Sequence, residues 1–510
     1  MKYSSQYKPL TLDLFRSSFE DLNKTNRWVI LGDNLPWGEI EKTYNSRLDN
    51  KYKGAGNKPA RMVIGAMIVK HKLNLSDEET IEMIQENPYM QYLCGLSEFT
   101  DKPLFDPSLF VTIRKRISME EINKMTTSLL QRELQKKEEA KAVKESQDNN
   151  VDDNASIPQV LSEDNGAEFT DGQGRKHKGV LKIDATCADA EVRFPVDVDI
   201  IHDGCKVVDR YITTLCKSLG IPLVRSCYKT ARRFYLELVK RKKKGGKLVK
   251  ATISHLLHYL KVDLGKITDI FVEHRGSKAL LKPHEQRTLN ATFDMFAQQT
   301  YMHENNVHVC ANRIISIFQP HLRPIKRGKA KAKTEFGAKI GAAIYEGYTF
   351  IDHHSWDAYN ENTDLKLQTE KFKERFGYLP ATIHADKIYL NKVNRKYLKD
   401  EEIKSYCKPL GRPSKEAKTP EFIAKMTKAV GERNEIECSF GTGKRIYRAN
   451  NIRAKLPETS ECWTGMCYFV KNVMKFLGGL CLVLFKIWLK FRLLANLEPQ
   501  VCYAPSRAKY

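Results

Sequence analysis

The sequence lacks the patterns that mark several classes of protein. Its twelve cysteines form no C-x-x-C pair, and the closest two, Cys462 and Cys467, have no histidine pair nearby to complete a zinc motif. The residues that follow Met1 contain no apolar core, so we expect no signal peptide. Scattered cysteines without a pairing pattern are typical of reduced thiols, and we therefore expect a cytoplasmic protein.

Long hydrophobic runs are also scarce. The longest, residues 476–485, has only about half the length that a bilayer span needs. Lys486, Lys490 and Arg492 interrupt its continuation. The pattern favours a buried C-terminal helix over a membrane anchor, and we expect no membrane partner.

Acidic residues are outnumbered by basic ones. Lys and Arg total 85 against 62 Asp and Glu, so the chain carries a net charge of +23. The excess predicts a polyanionic partner, most simply double-stranded DNA, although a soluble protein that happens to be basic is the plainer alternative. The basic residues are clustered along the chain, which favours DNA.

Apolar spacing divides the 510 residues into parts. Residues 1–137 predict short helices that form a DNA-binding or dimerisation domain, with a helical bundle of solvated basic residues as the alternative. Residues 138–178 are strongly polar and predict a flexible linker. The remaining parts are a strand-rich core at 179–198 and 307–460, an all-helical insertion at 199–306, and a C-terminal helical segment at 461–510.

Three carboxylates stand where a metal centre could form. Asp184 and Asp386 each end a short apolar, strand-like segment, and Glu437 lies on the helix-like stretch 433–444. Carboxylate oxygens suit Mg²⁺, and neighbouring carboxylates repel one another unless a cation lies between them. Two metal ions held in this way activate a water or a 3′-hydroxyl and stabilise the leaving oxygen in phosphoryl transfer.

These carboxylates belong to a longer series of motifs. In chain order the motifs are FDPSLFVTIRKR at 105–116, LKIDAT at 181–186, RPIKRGKA at 323–330, EFGAKI at 335–340, SWDAYNE at 355–361, HADKIY at 384–389, PLGRP at 409–413 and IECSFGTGKR at 436–445. On these motifs the chain resembles the DDE transposases of bacterial insertion sequences, the group with an InsH-type N-terminal domain. The resemblance implies an α/β fold, in which an RNase H-like mixed sheet forms the catalytic core, a large all-helical insertion interrupts it, and an all-helical N-terminal domain precedes it.

The resemblance implies that Asp184, Asp386 and Glu437 are the catalytic residues and hold two Mg²⁺ ions, for which Mn²⁺ can substitute. Glu435 is the rival for the third position, but it lies about 200° round the helix from Glu437, so both cannot face the aspartates.

Related transposases also carry a Y-R-E-K signature with two, three and six residues between its members. Arg433, Glu437 and Lys444 match this spacing, whereas Val430 stands at the tyrosine position. The departure affects whatever phosphate contact the tyrosine hydroxyl would make, and leaves the proposed metal ligands unchanged.

Eight basic residues are expected to contact DNA phosphates, arginine through its planar fork and lysine as a point charge. They are Arg433, Lys444 and Arg445 on the late helix, Arg323, Lys326, Arg327 and Lys329 in the densest basic run, and Lys387 beside Asp386. For Lys387 an ordinary surface position is an equal alternative.

The resemblance implies a transposase that binds insertion-sequence ends, cleaves them by metal-dependent hydrolysis and joins the 3′-hydroxyl to target DNA. We expect it to act as a homodimer on DNA, in a bacterial cytoplasm and associated with the nucleoid. Two alternatives share the same residues: an RNase H-like nuclease without strand transfer, and a catalytically inactive DNA-binding protein.

Overall fold

The computed structural model describes residues 19–48, 56–147, 166–326, 334–407 and 419–495. Two compact units account for them. Of the described residues, the first unit contains those up to 147, residues 345–350 and residues 465–495, and the second contains those of 166–344 and of 351–464.

The N-terminal part of the first unit is helical, as predicted. Its helices are α1 (Arg27–Asn34), α2 (Trp37–Asn45), α3 (Ala60–Leu73), α4 (Asp77–Glu86), α5 (Pro88–Leu93), α6 (Leu109–Arg116) and α7 (Met119–Gln147). Helix α3 is the centre of the packing, since Val63, Ile64 and Met67 are fully buried. Helix α4 begins with a capping box, in which the Ser76 hydroxyl accepts from the Glu79 N–H and the Glu79 carboxylate accepts from the Ser76 N–H.

The predicted linker at 138–178 has regular structure at both of its ends. Helix α7 continues to Gln147, and a two-stranded antiparallel hairpin follows, formed by β1 (Phe169–Thr170) and β2 (Lys176–His177). Buried Asp171 holds the hairpin turn by accepting from the backbone N–H and the guanidinium of Arg175. Polar hydrogen bonds therefore order a segment whose lack of apolar residues had suggested a flexible linker. Residues 148–165 lie outside the described residues.

A mixed sheet organises the second unit. Its strands are β3 (Val180–Asp189), β4 (Arg323–Lys326), β5 (Thr334–Tyr345), β6 (Tyr348–Ser355), β7 (Thr382–His384) and β8 (Lys404–Ser405). The order is β4-β5-β3-β7-β8, with β6 also paired to β5. Strand β3 runs antiparallel to β5 and parallel to β7. Strand β3 is the middle strand of this order, and its apolar residues, including Leu181 and Ile183, are buried, as is typical of an inner strand.

A two-residue hairpin turn, Glu346-Gly347, joins β5 to β6. Glu346 and Gly347 have φ angles of +50° and +75°, the left-handed pair that a two-residue hairpin turn requires.

An all-helical insertion separates β3 from the later strands, as predicted. It contains α8 (Asp197–Leu219), α9 (Tyr228–Val239), α10 (Gly246–Glu273) and α11 (Pro283–Glu304). The four helices share an apolar core in which Tyr211, Leu256 and Leu289 are fully buried. Helices α8 and α11 approach closely at Gly204, where an added Cβ would lie 2.8 Å from the Met295 methyl carbon.

The remaining helices are α12 (Asp364–Phe376), α13 (Lys392–Asp400), α14 (Pro420–Arg445) and α15 (Pro457–Ala495). A short 3₁₀ turn, Glu361–Thr363, precedes α12, and Gly377 ends that helix with a φ of +78°. These elements confirm the predicted class, an RNase H-like mixed sheet with a helical insertion behind an all-helical N-terminal region.

The C-terminal helix α15 is buried along its first half. Cys467, Val470 and Val473 are fully buried, and an added Cβ at Gly465 would lie 2.5 Å from the Ile122 side chain. The Asn472 amide binds both the N–H and the carbonyl of Thr349. Among the described residues, no helix combines the length and the apolar character needed to cross a membrane.

Candidate active site

Strand register brings Asp184 and Asp386 to the same level along two neighbouring strands. In the parallel pair β3 and β7, Lys182 lies opposite His384, so each aspartate follows two residues beyond that pair. Strand β7 ends at His384, and Asp386 opens a 3₁₀ turn in which its Oδ1 accepts from the Lys387 N–H at 2.7 Å. Asp386 therefore follows the carboxyl end of β7, whereas Asp184 lies inside β3. Strand β3 continues to Asp189, so it does not end at Asp184 as the sequence had predicted.

Helix α14 contributes Glu437 through an arginine bridge. The Arg433 guanidinium contacts Asp184 Oδ2 at 3.1 Å through Nη1 and Glu437 Oε1 at 2.8 Å through Nη2. Arg433 and Glu437 are one helical turn apart and thus share a face, as the sequence spacing predicts. One cation therefore joins the first aspartate of the set to the glutamate.

Glu435, the alternative third carboxylate, has a different partner. Its Oε2 accepts from the Lys182 ammonium group on β3. Glu435 therefore has a partner on β3, whereas Glu437 pairs within α14 with Arg433, the arginine that also contacts Asp184.

The electrostatic environment of Asp184 is unfavourable for a negative charge. Burial raises the pKa of its carboxyl group to about 6, although the Ala185 N–H and the Arg433 guanidinium act in the opposite direction. The charges of Glu361 and Asp386 raise this pKa further, which shows that both carboxylates lie within electrostatic range. Such a group gains from a cation that approaches it closely.

Sequence reasoning gave no role to Glu361. This residue lies in the 3₁₀ turn before α12, and its Oε1 is 3.0 Å from the ammonium group of Lys339 on β5. The only signal in the sequence was its place as the last residue of the SWDAYNE motif at 355–361.

Lys444 lies near a second group of possible ligands. Its charge acts on Cys187 of β3, although burial is the larger effect and raises the pKa of that thiol. One ligand atom from each of Cys187, Asp189 and Glu335 lies within 4.8 Å of the others. The positive charge of Lys444 near this group opposes the binding of a metal ion there. The same acidic group partly neutralises the charge of Lys444.

Arg445 lines an open groove along α14. The groove is also lined by Asn434, Glu437, Cys438, Gly441, Thr442 and Ile446. Arg445 is exposed, so its charge is accessible on the same helix as Glu437. Lys387 is likewise exposed, directly beside Asp386.

The four residues of the basic run at 323–329 that were predicted to contact DNA differ in what the structure shows of them. Arg323 donates to the carbonyls of Pro320 at 2.6 Å and Leu322 at 3.0 Å, so its guanidinium holds the loop before β4. Its side chain is only 23% exposed, which leaves little of it for a DNA phosphate. Lys326 ends β4, and Arg327 and Lys329 lie outside the described residues.

Two regions of the chain match known protein families. Residues 17–116 match a family described as "Transposase domain (DUF772)", and residues 383–474 match one described as "Transposase DDE domain". The second match contains Asp386, Arg433, Glu437 and Lys444.

One curated relative, an uncharacterized protein ORF8 in the nfe locus of Rhizobium meliloti, is 31% identical over 127 residues. The match covers 24% of this chain and 59% of the relative, so the chain spans less than two thirds of that protein. No solved structure matches the chain significantly. The two family matches confirm the resemblance to the DDE transposases, because the chain carries a transposase domain towards its N-terminus and a transposase DDE domain towards its C-terminus.

Proposed function

We propose that the protein is a DNA transposase that binds insertion-sequence ends, cleaves them by metal-dependent hydrolysis and joins the 3′-hydroxyl to target DNA. The observation that supports the proposal is the bridge of Arg433 between Asp184 and Glu437, together with the strand register that sets Asp184 level with the turn of Asp386.

The donor set fits a hard divalent cation. Asp184, Asp386 and Glu437 supply only carboxylate oxygens, the ligands that Mg²⁺ and Mn²⁺ prefer. Burial raises the pKa of Asp184, so its carboxylate gains from a cation that approaches it closely. Two bound Mg²⁺ ions would supply activation of the attacking hydroxyl and stabilisation of the leaving oxygen.

The residues of the chain itself orient the DNA. The Arg433 guanidinium can exchange a carboxylate for a phosphate oxygen, because it binds both in the same planar geometry. Lys387 and Arg445 are exposed on the elements that carry Asp386 and Glu437, so they can neutralise phosphates on either side of the scissile bond. In this proposal, the helical domain at residues 1–137 binds the transposon ends or the second copy of a homodimer.

The decisive experiment measures nicking of a duplex that carries a transposon end, with Mg²⁺ present or absent. Asp386→Asn is expected to abolish the Mg²⁺-dependent nicking, because it removes one ligand charge without changing the size of the side chain. Asp400→Asn is the matched control, since Asp400 is an exposed aspartate on the neighbouring helix α13. Nicking by the Asp386→Asn protein at the wild-type rate would refute the proposed centre.

A second assay separates the proposed function from its alternatives. A precut end with a 3′-hydroxyl is mixed with plasmid DNA, and the transposase is expected to join the two. Nicking without joining would identify a nuclease of the same fold. DNA binding without either reaction would identify an inactive DNA-binding protein.

A further inference from the structure

We propose that Glu361 is a fourth carboxylate of the metal centre, and that its negative charge strengthens the binding of a divalent cation by Asp184 and Asp386. The inference rests on the proposed function, because it concerns the same centre. It goes beyond the set of three carboxylates by assigning a positioning and charge-balancing role to a residue in the turn before α12.

The first observation is the attachment of Glu361 to the sheet. Lys339 on β5 contacts Glu361 Oε1 at 3.0 Å, donates to the Tyr359 carbonyl at 2.8 Å and lies 4.7 Å from the centre of the Tyr359 ring. The Lys339 side chain is only 13% exposed, so the contact is largely shielded from solvent. The ion pair uses one carboxylate oxygen, and the other lies outside it.

The second observation connects Glu361 to Asp386. The side-chain amide of Asn394 donates to the Asn362 carbonyl and to the Tyr389 carbonyl, both at 2.7 Å. Asn362 follows Glu361 in its 3₁₀ turn, and Tyr389 ends the turn that Asp386 opens. One buried amide therefore holds the two acid-bearing turns together, and the turns contact each other directly.

The third observation is a buried hydroxyl among the acids. Tyr389 is fully buried, and within the described part of the chain its hydroxyl has no hydrogen-bond partner. Burial is the main cause of its raised pKa, and the charges of Asp184, Glu361 and Asp364 add to it, so these carboxylates lie within electrostatic range of the ring. Buried polar atoms almost always have a partner, and an orphaned hydroxyl here points to a group bound between the acids.

The local charge balance favours a cation. Glu361 and Asp386 lie on two turns in direct contact, and the Arg433 guanidinium is already bound by Asp184 and Glu437. A structural role alone, as the partner of Lys339, would not require the turn of Glu361 to be held against the turn of Asp386. The two roles differ in one measurable quantity, the affinity of the centre for a metal ion.

The test uses Mn²⁺ as the probe and the full-length protein without DNA, with free Mn²⁺ measured by electron paramagnetic resonance. Glu361→Gln is expected to weaken Mn²⁺ binding about tenfold, the low end of the loss seen when a supporting residue of a metal site is removed. Glu370→Gln is the matched control, because Glu370 is a half-exposed glutamate on α12 that pairs with Lys366 at 3.7 Å. This control is expected to bind Mn²⁺ like the wild type.

Asp184→Asn distinguishes failure of this inference from failure of the proposed function. If this variant binds Mn²⁺ like the wild type, the metal centre itself is wrong. If Asp184→Asn loses binding while Glu361→Gln retains it fully, the role of Glu361 is overturned and the proposed function stands.

A second measurement does not depend on the folding of a variant. Fe²⁺ with ascorbate and peroxide generates hydroxyl radicals at a bound ion, and these radicals cut the nearby backbone. In the wild-type protein we expect cuts close to residue 361 as well as close to 184 and 386, all suppressed by excess Mg²⁺. Cuts at 184 and 386 without a cut near 361 would overturn the inference.

Discussion

Replacing Asp184 by asparagine is expected to stabilise the metal-free protein while it removes metal binding. Burial raises the pKa of this carboxyl group from 3.8 to about 6. Because one pKa unit corresponds to about 1.4 kcal/mol, ionised Asp184 lowers the free energy of unfolding by about 3 kcal/mol at neutral pH. Asparagine has nearly the same shape and carries no charge, so the variant escapes this penalty.

The sign of the pH dependence follows from the direction of the shift. Below about pH 4 the carboxyl group is protonated in both the folded and the unfolded chain, so it contributes no penalty. Between about pH 4 and pH 6 the folded state binds more protons than the unfolded state, and stability falls as the pH rises. The advantage of Asp184→Asn is therefore near zero at pH 4 and complete above about pH 6.

The assay must report on the unit that carries the sheet. Since the chain forms two compact units, its overall unfolding need not be two-state. Native-state hydrogen exchange in urea, read by mass spectrometry on peptides from β3 and β5, measures the local free energy of opening. The buffers contain a chelator, and Asp357→Asn is the control because the Asp357 side chain is 76% exposed.

Two results would refute the reasoning. The variant could prove less stable than the wild type at pH 7.5 in chelator, or its advantage could persist undiminished at pH 4. Either result would mean that burial does not dominate the energetics of Asp184. Added Mg²⁺ provides an internal check, because a ligand that binds only the folded state should stabilise the wild type and leave the variant unchanged.

Three further predictions concern stability. Gly341→Ala should lower the free energy of unfolding by about 2 kcal/mol in urea titrations, because the new Cβ would lie 2.3 Å from Asp364 Oδ2; unchanged stability would contradict the close contact. Asn472→Ala should cost about 3 kcal/mol and lower the Tm, since two buried hydrogen bonds to the N–H and carbonyl of Thr349 would be lost; an unchanged Tm would show that these bonds contribute little. Ser76→Ala should cost about 1 kcal/mol through loss of the capping box, whereas Ser76→Asp should retain most of the stability; equal losses would argue against capping.

Features set by neighbouring residues could be predicted from the sequence. The capping box at Ser76, the Glu346-Gly347 hairpin turn and the glycine that ends α12 each depend on hydrogen bonds or φ angles within a few residues. The shared face of Arg433 and Glu437 follows from the helical period alone. Local geometry of this kind is independent of the rest of the fold, so its signals are visible in the chain.

The positions of the charges relative to one another required the tertiary structure. Lys182 pairs with Glu435 across 253 residues, and the register of β3 and β7 decides that Asp184 and Asp386 reach the same level of the sheet. Arg323 has the composition of a DNA contact, but the loop before β4 folds so that its guanidinium binds carbonyls.

The same holds for the turn that carries Glu361, which Lys339 and Asn394 hold beside the turn of Asp386 from other elements. The sequence by itself thus determined which local elements form and which residues share a helical face. Which acid meets which cation was decided by strand register and long-range packing, because the energy of a charge depends on its neighbours in space and on its burial.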